Sequence, residues 1–244
     1  MPIALVLFVV LVNMSAFRGS KVLVSLFALE LGAPQIMLGV IVALYSLCPM
    51  LLALYAGKLS DRFCVRWPLA LGTLGIALSL LLPGLLPSLN MLYLSALLIG
   101  FSFVFYNVSM QSLVGMLSSV EARTRNFSNL SLMIASGGFV GPLIAGFAID
   151  SFGHAAGYLC IAVFPVLSAF ILFGAGPRLA ALSGGKSKND EAGGYAVGLL
   201  GNAPLRRTLI TSGIILTAID LFQFYMPIYG HAIGLSASAI GVVL

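Results

Sequence analysis

Three charged side chains stand inside apolar runs. Arg18 and Lys21 are the only charges between Ile3 and Leu29, and Asp220 is the only one between Leu209 and Tyr229. In hydrocarbon, an uncompensated Arg or Lys near a helix centre costs about 2.5–3.5 kcal/mol on insertion scales, so neither is expected to face lipid. Their spacing of three places both on one helical face. Such a set offers ionic chemistry: it can hold a charged solute, exchange ion pairs, or pass a proton to a carboxylate. A fourth apolar run supplies Tyr106, Asn107, Ser109, Gln111 and Ser112. Asn107 and Gln111 are four apart and share a face, where they either line a cavity or bond a neighbouring helix. Glu30 and Asp150 fall at helix ends and are expected to be solvated, with Asp150, followed by Gly153, able to stabilise the end of its helix.

Covalent catalysis has no visible machinery. The chain has no HExxH, Walker loop or nucleophile elbow, and His154 and His231 are isolated. Cys48, Cys64 and Cys160 form neither a disulfide framework nor a metal-ligand spacing, and are read as unpaired. The expectation is a protein that is not an enzyme and uses no metal or cofactor.

The elements that position these residues follow from composition. With 60% hydrophobic residues, 8% charged and a mean hydropathy of +1.11, the chain lies far from a water-soluble domain. Apolar runs of bilayer length, about 20 residues each, cover Ile3 to Leu29, Gln35 to Tyr55, Trp67 to Leu86, Met91 to Leu113, Asn129 to Ile149, Ala155 to Ala175 and Leu209 to Tyr229. An eighth begins near Ala237. They are too long and too lacking in strict alternation for barrel strands, so the expected fold class is all-α, a polytopic membrane bundle. The first run has no basic segment before it and carries Arg18 and Lys21, so it is kept as helix one and not as a cleaved signal.

Basic residues fall in the second connection (Lys58, Arg62, Arg66), the fourth (Arg123, Arg125) and the sixth (Arg178, Lys186, Lys188, Arg206, Arg207). The odd-numbered connections have none, which places the even-numbered ones and the N-terminus in the cytoplasm. The net charge of +5 is thus a record of topology, and no nucleic-acid partner is implied.

Sliding the chain against itself by 202 positions sets Gly32 and Gly39 opposite Gly234 and Gly241, and Arg18 opposite Asp220. Between the copies lies a polar, Gly-rich stretch containing Ser183 to Glu191. The expected organisation is a six-helix bundle over 1–176, a cytoplasmic linker over 177–208, and helix seven with the start of helix eight over 209–244. A parallel repeat of six-helix halves leads us to expect that a complete second bundle would extend beyond Leu244.

Gly57-Lys58-Leu59-Ser60-Asp61-Arg62-Phe63-Cys64-Val65-Arg66 resembles the G-x-L-x-D-R-x-G-R-R signature that the major facilitator superfamily carries between helices two and three. Gly57, Leu59, Asp61, Arg62 and Arg66 match, whereas Cys64 and Val65 depart from it. The resemblance implies a cytoplasmic gating latch at Gly57, Asp61, Arg62 and Arg66, in which Gly57 permits a tight helix exit and Asp61 engages and releases its partners. In helix five, Gly137, Gly141, Pro142 and Gly146 are similar to the G-x-x-x-G-P-x-x-G-G element of the same superfamily, with Ala145 as the departure. That element is found among exporters that exchange substrate for protons, and it suits a hinge or a seal between helices.

Helices one and seven of this family face each other across a central cavity. The resemblance therefore leads us to expect that Arg18 and Asp220 form or exchange an ion pair there, with Asp220 as the proton-coupling residue, Gln223 and Tyr225 nearby, and Lys21 either in the cavity or reaching outward. Helix four has no basic residue, a departure from the arginine that many proton-coupled members carry. The expected function is secondary active transport of a small organic solute by alternating access in a bacterial inner membrane, as proton-coupled drug-type efflux. An organic-anion transporter of the same fold and a non-transporting scaffold or degenerate half-protein remain as alternatives. The expected partners are the lipid bilayer, the solute and protons.

Overall fold

The computed structural model describes residues 3–62, 65–174 and 203–244. Its elements are α1 (Ile3–Glu30), α2 (Gln35–Arg62), α3 (Arg66–Leu85), α4 (Leu89–Leu117), α5 (Arg123–Phe152), α6 (His154–Gly174), α7 (Ala203–Ala232) and α8 (Ala237–Val243). Helix is the form in which an apolar chain satisfies its own backbone without water. Six of the helices (α1 and α3 to α7) are long and apolar enough to cross a membrane, and α2 carries a shorter apolar stretch, Ile36–Leu52. Large apolar side chains such as Leu71, Leu78, Val163 and Phe170 stand exposed on the outside of the bundle. In water that surface would aggregate; against acyl chains it is the expected exterior.

Helix boundaries that differ from expectation, at α2, α5 and α7, do so for the same reason: polar residues at membrane ends continue helices past the apolar run. The Gly57 segment is not a loop, because α2 runs on through Gly57 to Arg62, and a Cβ at Gly57 would meet nothing within 4 Å. Gly57 therefore does not serve as a helix exit. Likewise α7 begins at Ala203, so its first turns fall in the span expected as linker. Residues 177–202 lie outside the described residues.

α1 is the hub. It packs on α5 and α6, touches α4 and α7, and is buried along most of its length, with Val9, Val10, Ala16 and Leu23 fully enclosed. α3 packs on α4 and α6, and α2 on α4. Polar groups of this core bond within a helix and between helices: Asn13 Nδ2 donates to the Val9 carbonyl (3.0 Å), and Ser95 Oγ of α4 donates to the Ser79 carbonyl of α3 (2.6 Å).

Glycine sets how closely α3 and α4 approach. A Cβ at Gly72 would lie 2.7 Å from Tyr106 N and 2.9 Å from the Ser102 carbonyl oxygen, backbone that has no rotamer to escape into. Gly72→Ala is expected to destabilise the bundle by about 1–3 kcal/mol, seen as a lower thermal midpoint in detergent. Gly39→Ala, whose Cβ meets nothing within 4 Å, should leave the midpoint in place.

The repeat has a structural counterpart. α1 ends in the bonds Leu31 N to Phe27 O, Gly32 N to Leu29 O and Ala33 N to Ala28 O. α7 ends in Ile233 N to Tyr229 O, Gly234 N to His231 O and Leu235 N to Gly230 O, the same three bonds 202 residues on. Both turns need a left-handed residue, supplied by Gly32 at φ 75° and Gly234 at φ 82°. The next helices then start at the matching positions Gln35 and Ala237.

Candidate substrate site

The candidate site is a cavity of about 410 Å³ where α1, α2, α4, α5 and α7 converge. Its apolar wall is Met14, Phe17, Phe103 and Ile134, and its polar lining includes Arg18, Lys21, Tyr45, Asn107, Gln111 and Asp220. The rings of Phe17 and Phe103 stack at 3.7 Å between centroids. A larger cavity of about 540 Å³ lies between α3 and α4, lined by Trp67, Leu71, Phe101 and Phe105 with no ionisable group. A site for selective solute recognition combines an apolar wall with a few convergent polar groups, so the smaller, charged cavity is the candidate.

Lys21 Nζ donates to Asp220 Oδ1 at 2.9 Å, and Arg18 Nη1 donates to Gln223 Oε1 at 2.6 Å. Arg18 Nη1 stands 4.0 Å from Asp220 Oδ1. Asp220 is thus hydrogen-bonded to Lys21, which turns inward, and lies at ion-pair distance from Arg18, the partner expected from the sequence. The reason is geometric: the positions equivalent by repeat are 18 with 220 and 21 with 223, and the helices pair them crosswise. Arg18 Nε is buried without a hydrogen-bond partner among the described residues, which leaves a donor of the guanidinium available. Gln111 Nε2 donates to Asn107 Oδ1 at 3.3 Å, so these two bond each other while lining the cavity. Tyr225 is exposed, stacks on Tyr229 and is not part of the lining. Phe17, Tyr45 and Phe103 are lining residues that the sequence gave no reason to single out, since aromatic residues are common in apolar helices.

The helix-five glycines divide between two seams. A Cβ at Gly137 would overlap Met14 Cβ at 2.6 Å and press on the Leu11 carbonyl oxygen and Ser15 N of α1 at 3.0 Å, and one at Gly141 would overlap the backbone of Ser15 and Gly19. Gly146 points the other way, onto Ala237 and Ser238 of α8, and Gly241 of α8 abuts the Pro142 carbonyl. At the same end, Asp150 is not merely solvated. Its Oδ1 accepts from Ala237 N at 3.1 Å and its Oδ2 from Ser238 N at 2.8 Å. Nor are Glu30 and His154 isolated: His154 Nδ1 lies 2.6 Å from Glu30 Oε2, and its ring stacks on Phe27. Of the expected gating residues, the side chains of Asp61 and Arg62 lie outside the described residues. Arg66 opens α3, with its guanidinium 5.7 Å from the centroid of the Trp67 ring.

An all-helical membrane bundle in which two repeats meet at a charged cavity has the architecture of a polytopic membrane transporter. A family profile, the Major Facilitator Superfamily, matches residues 5–244, and the chain belongs to that family of transporters, which are not enzymes. It is similar to the tetracycline resistance protein, class B, of Escherichia coli, at 33% identity over 55% of this chain and 33% of the relative. It is also similar to two proteins of Bacillus subtilis (strain 168): multidrug resistance protein 2, at 31% identity over 55% of this chain and 34% of the relative, and multidrug resistance protein 1, at 25% over 54% and 34%. The matched segment spans about a third of the length of each relative.

Proposed function

We propose that this chain forms the N-terminal bundle (1–176), central linker (177–208) and opening of the C-terminal bundle (209–244) of a secondary transporter that moves a small organic solute by alternating access, in the direction of drug-type efflux. The observation that carries the reading is the pair of bridges from α1 to α7: Lys21 to Asp220, both lining a cavity with an aromatic wall, and Arg18 of the same lining to Gln223. Bridges between repeats at a midplane site are what a rocking mechanism has to make and break. The names of the relatives support a drug as the solute. The distribution of Lys and Arg supports an N-terminus in the cytoplasm, and the bacterial relatives support a bacterial inner membrane; Asp61, Arg62 and Arg66 are the cytoplasmic latch, with Gly57 inside α2 ahead of them.

Asp220 is the proton-coupling residue in this reading, since protonating it releases Lys21. The test is uptake of tetracycline and of ethidium into inverted vesicles under an imposed proton gradient. Accumulation that collapses when the gradient is discharged supports proton-coupled efflux, and no accumulation under any gradient favours a scaffold. Asp220→Asn is expected to flatten the pH dependence of flux; a pH profile that is unchanged would remove Asp220 from the coupling path.

A further inference from the structure

The contact between Asp150 and α8 joins the two repeats far along the chain and uses none of the cavity residues. Asp150 sits in the last turn of α5, and both its carboxylate oxygens are taken up by consecutive backbone donors of α8, Ala237 N and Ser238 N. Those groups belong to the first turn of a helix, where N–H donors have no intrahelical acceptor and the helix dipole favours an anion. Ser236 Oγ supplies the next donor's partner, accepting from Ala239 N at 3.2 Å. Asp150 therefore completes the cap of a helix that belongs to the other repeat.

Directly below this contact, the α5–α8 seam is closed by backbone, with Gly146 on Ala237 and Gly241 on Pro142. A seam of that kind has no side chain that could swing aside, so it opens by moving α8 as a unit, and the charged hydrogen bonds at its end must break first. On the opposite side of the cavity, the first half of α7 is exposed, including Ile210, Ile214 and Ile215. The contacts between repeats among the described residues thus lie at the cavity and on the side of the α5–α6 turn.

We propose that Asp150 is a gating residue: its carboxylate clamps the start of α8 and holds the cavity closed on the side of the α5–α6 turn, so that opening on that side requires the clamp to release. The inference rests on the alternating-access reading above. Asp150 is a positioning residue, since it touches no substrate, and it acts through the placement of α8.

The experiment reads the side from which the cavity is reached. In the full chain, reconstituted in oriented liposomes with Cys48, Cys64 and Cys160 replaced by serine, Asn107→Cys places a thiol in the cavity, and a membrane-impermeant thiosulfonate ammonium is added from either side. Asp150→Asn, which preserves volume but loses the charge, is expected to speed labelling from the α5–α6 side about tenfold and to slow it from the other, the population shift that follows from weakening hydrogen bonds to a charged acceptor. Ala237→Pro deletes one donor from the α8 side at the first helical position, where proline is tolerated and the preceding residue is already extended, and it should act in the same direction. The double variant should be no faster than the faster single one.

Unchanged labelling from both sides, with only a lower thermal midpoint, would reduce Asp150 to a static cap and overturn the proposal. Labelling that shifts while the parent chain, with Asn107 in place, transports neither tetracycline nor ethidium would keep the clamp and sink the drug-efflux reading alone.

Discussion

Gly141→Leu is expected to break the bundle at its most extensive interface. A Cβ at position 141 would overlap the Ser15 carbonyl and crowd Gly19 N at 2.9 Å, and the reciprocal Cβ at Gly19 would stand 2.7 Å from the Gly141 carbonyl oxygen. In a membrane, where lipid tails are as apolar as leucine, such close backbone approach supplies most of the attraction between helices, so parting α1 from α5 forfeits it. The expected loss is at least about 3 kcal/mol, the upper end of overpacking costs, read as aggregation in detergent or a thermal midpoint too low to record. Gly138→Leu, three positions earlier in the same helix, is the control: its Cβ meets nothing within 4 Å, and the variant should unfold like the parent. Equal damage from both would mean that α5 tolerates no bulk anywhere, and that the α1 seam is not special.

The second large effect concerns the α1–α7 bridge. Lys21→Asp sets two carboxylates on facing sides of the α1–α7 contact, where the Lys21 side chain is 16% exposed and that of Asp220 50%. Transport is expected to fall by more than about tenfold, because like charges in a partly dehydrated site oppose the closed arrangement of the helices. Combining it with Asp220→Lys restores opposite charges at the same two positions, and flux and thermal midpoint should both recover in part. A double-mutant cycle should return a coupling of about 1–3 kcal/mol, as for residues in direct contact. Additive damage, with no recovery in the swapped protein, would show that Lys21 and Asp220 act separately and that the 2.9 Å bond is incidental to the mechanism.

Much of the fold was legible because the bilayer imposes one length scale. Each expected span contains the middle of a helix, since a run of about twenty apolar residues has one way to satisfy its backbone in lipid. Helix ends were less legible: the polar residues from Gly57 to Arg62 and from Arg123 onward look like loop but belong to α2 and α5. The motif glycines were found by spacing alone, and spacing does not say which neighbour each one meets. Gly141 meets α1 and Gly146 meets α8, a division that depends on which helices are adjacent.

The site was legible in its charges and not in its pairings. An ionisable group in an apolar run announces itself, so Arg18, Lys21 and Asp220 were found, while the crossed pattern of their contacts required the relative placement of α1 and α7. Asp150 was visible as an acid at a helix end. Its partners are main-chain N–H groups of α8, which leave no trace in residue type.

The crossed bridges carry a consequence for how the charges arose. Positions 18 and 21 of the first repeat meet positions 223 and 220 of the second, so each site contacts the counterpart of the other, the reciprocity of an isologous interface around a two-fold axis. If the two repeats were identical, Arg18 would face a lysine and Lys21 an arginine, and the centre of the molecule would repel itself. A copy with the second repeat's residues would set aspartate against glutamine on both sides, with no cation to neutralise either acid. With these residue types attraction exists only between unlike copies, so this particular charge pattern depends on two covalently joined repeats, each free to change alone.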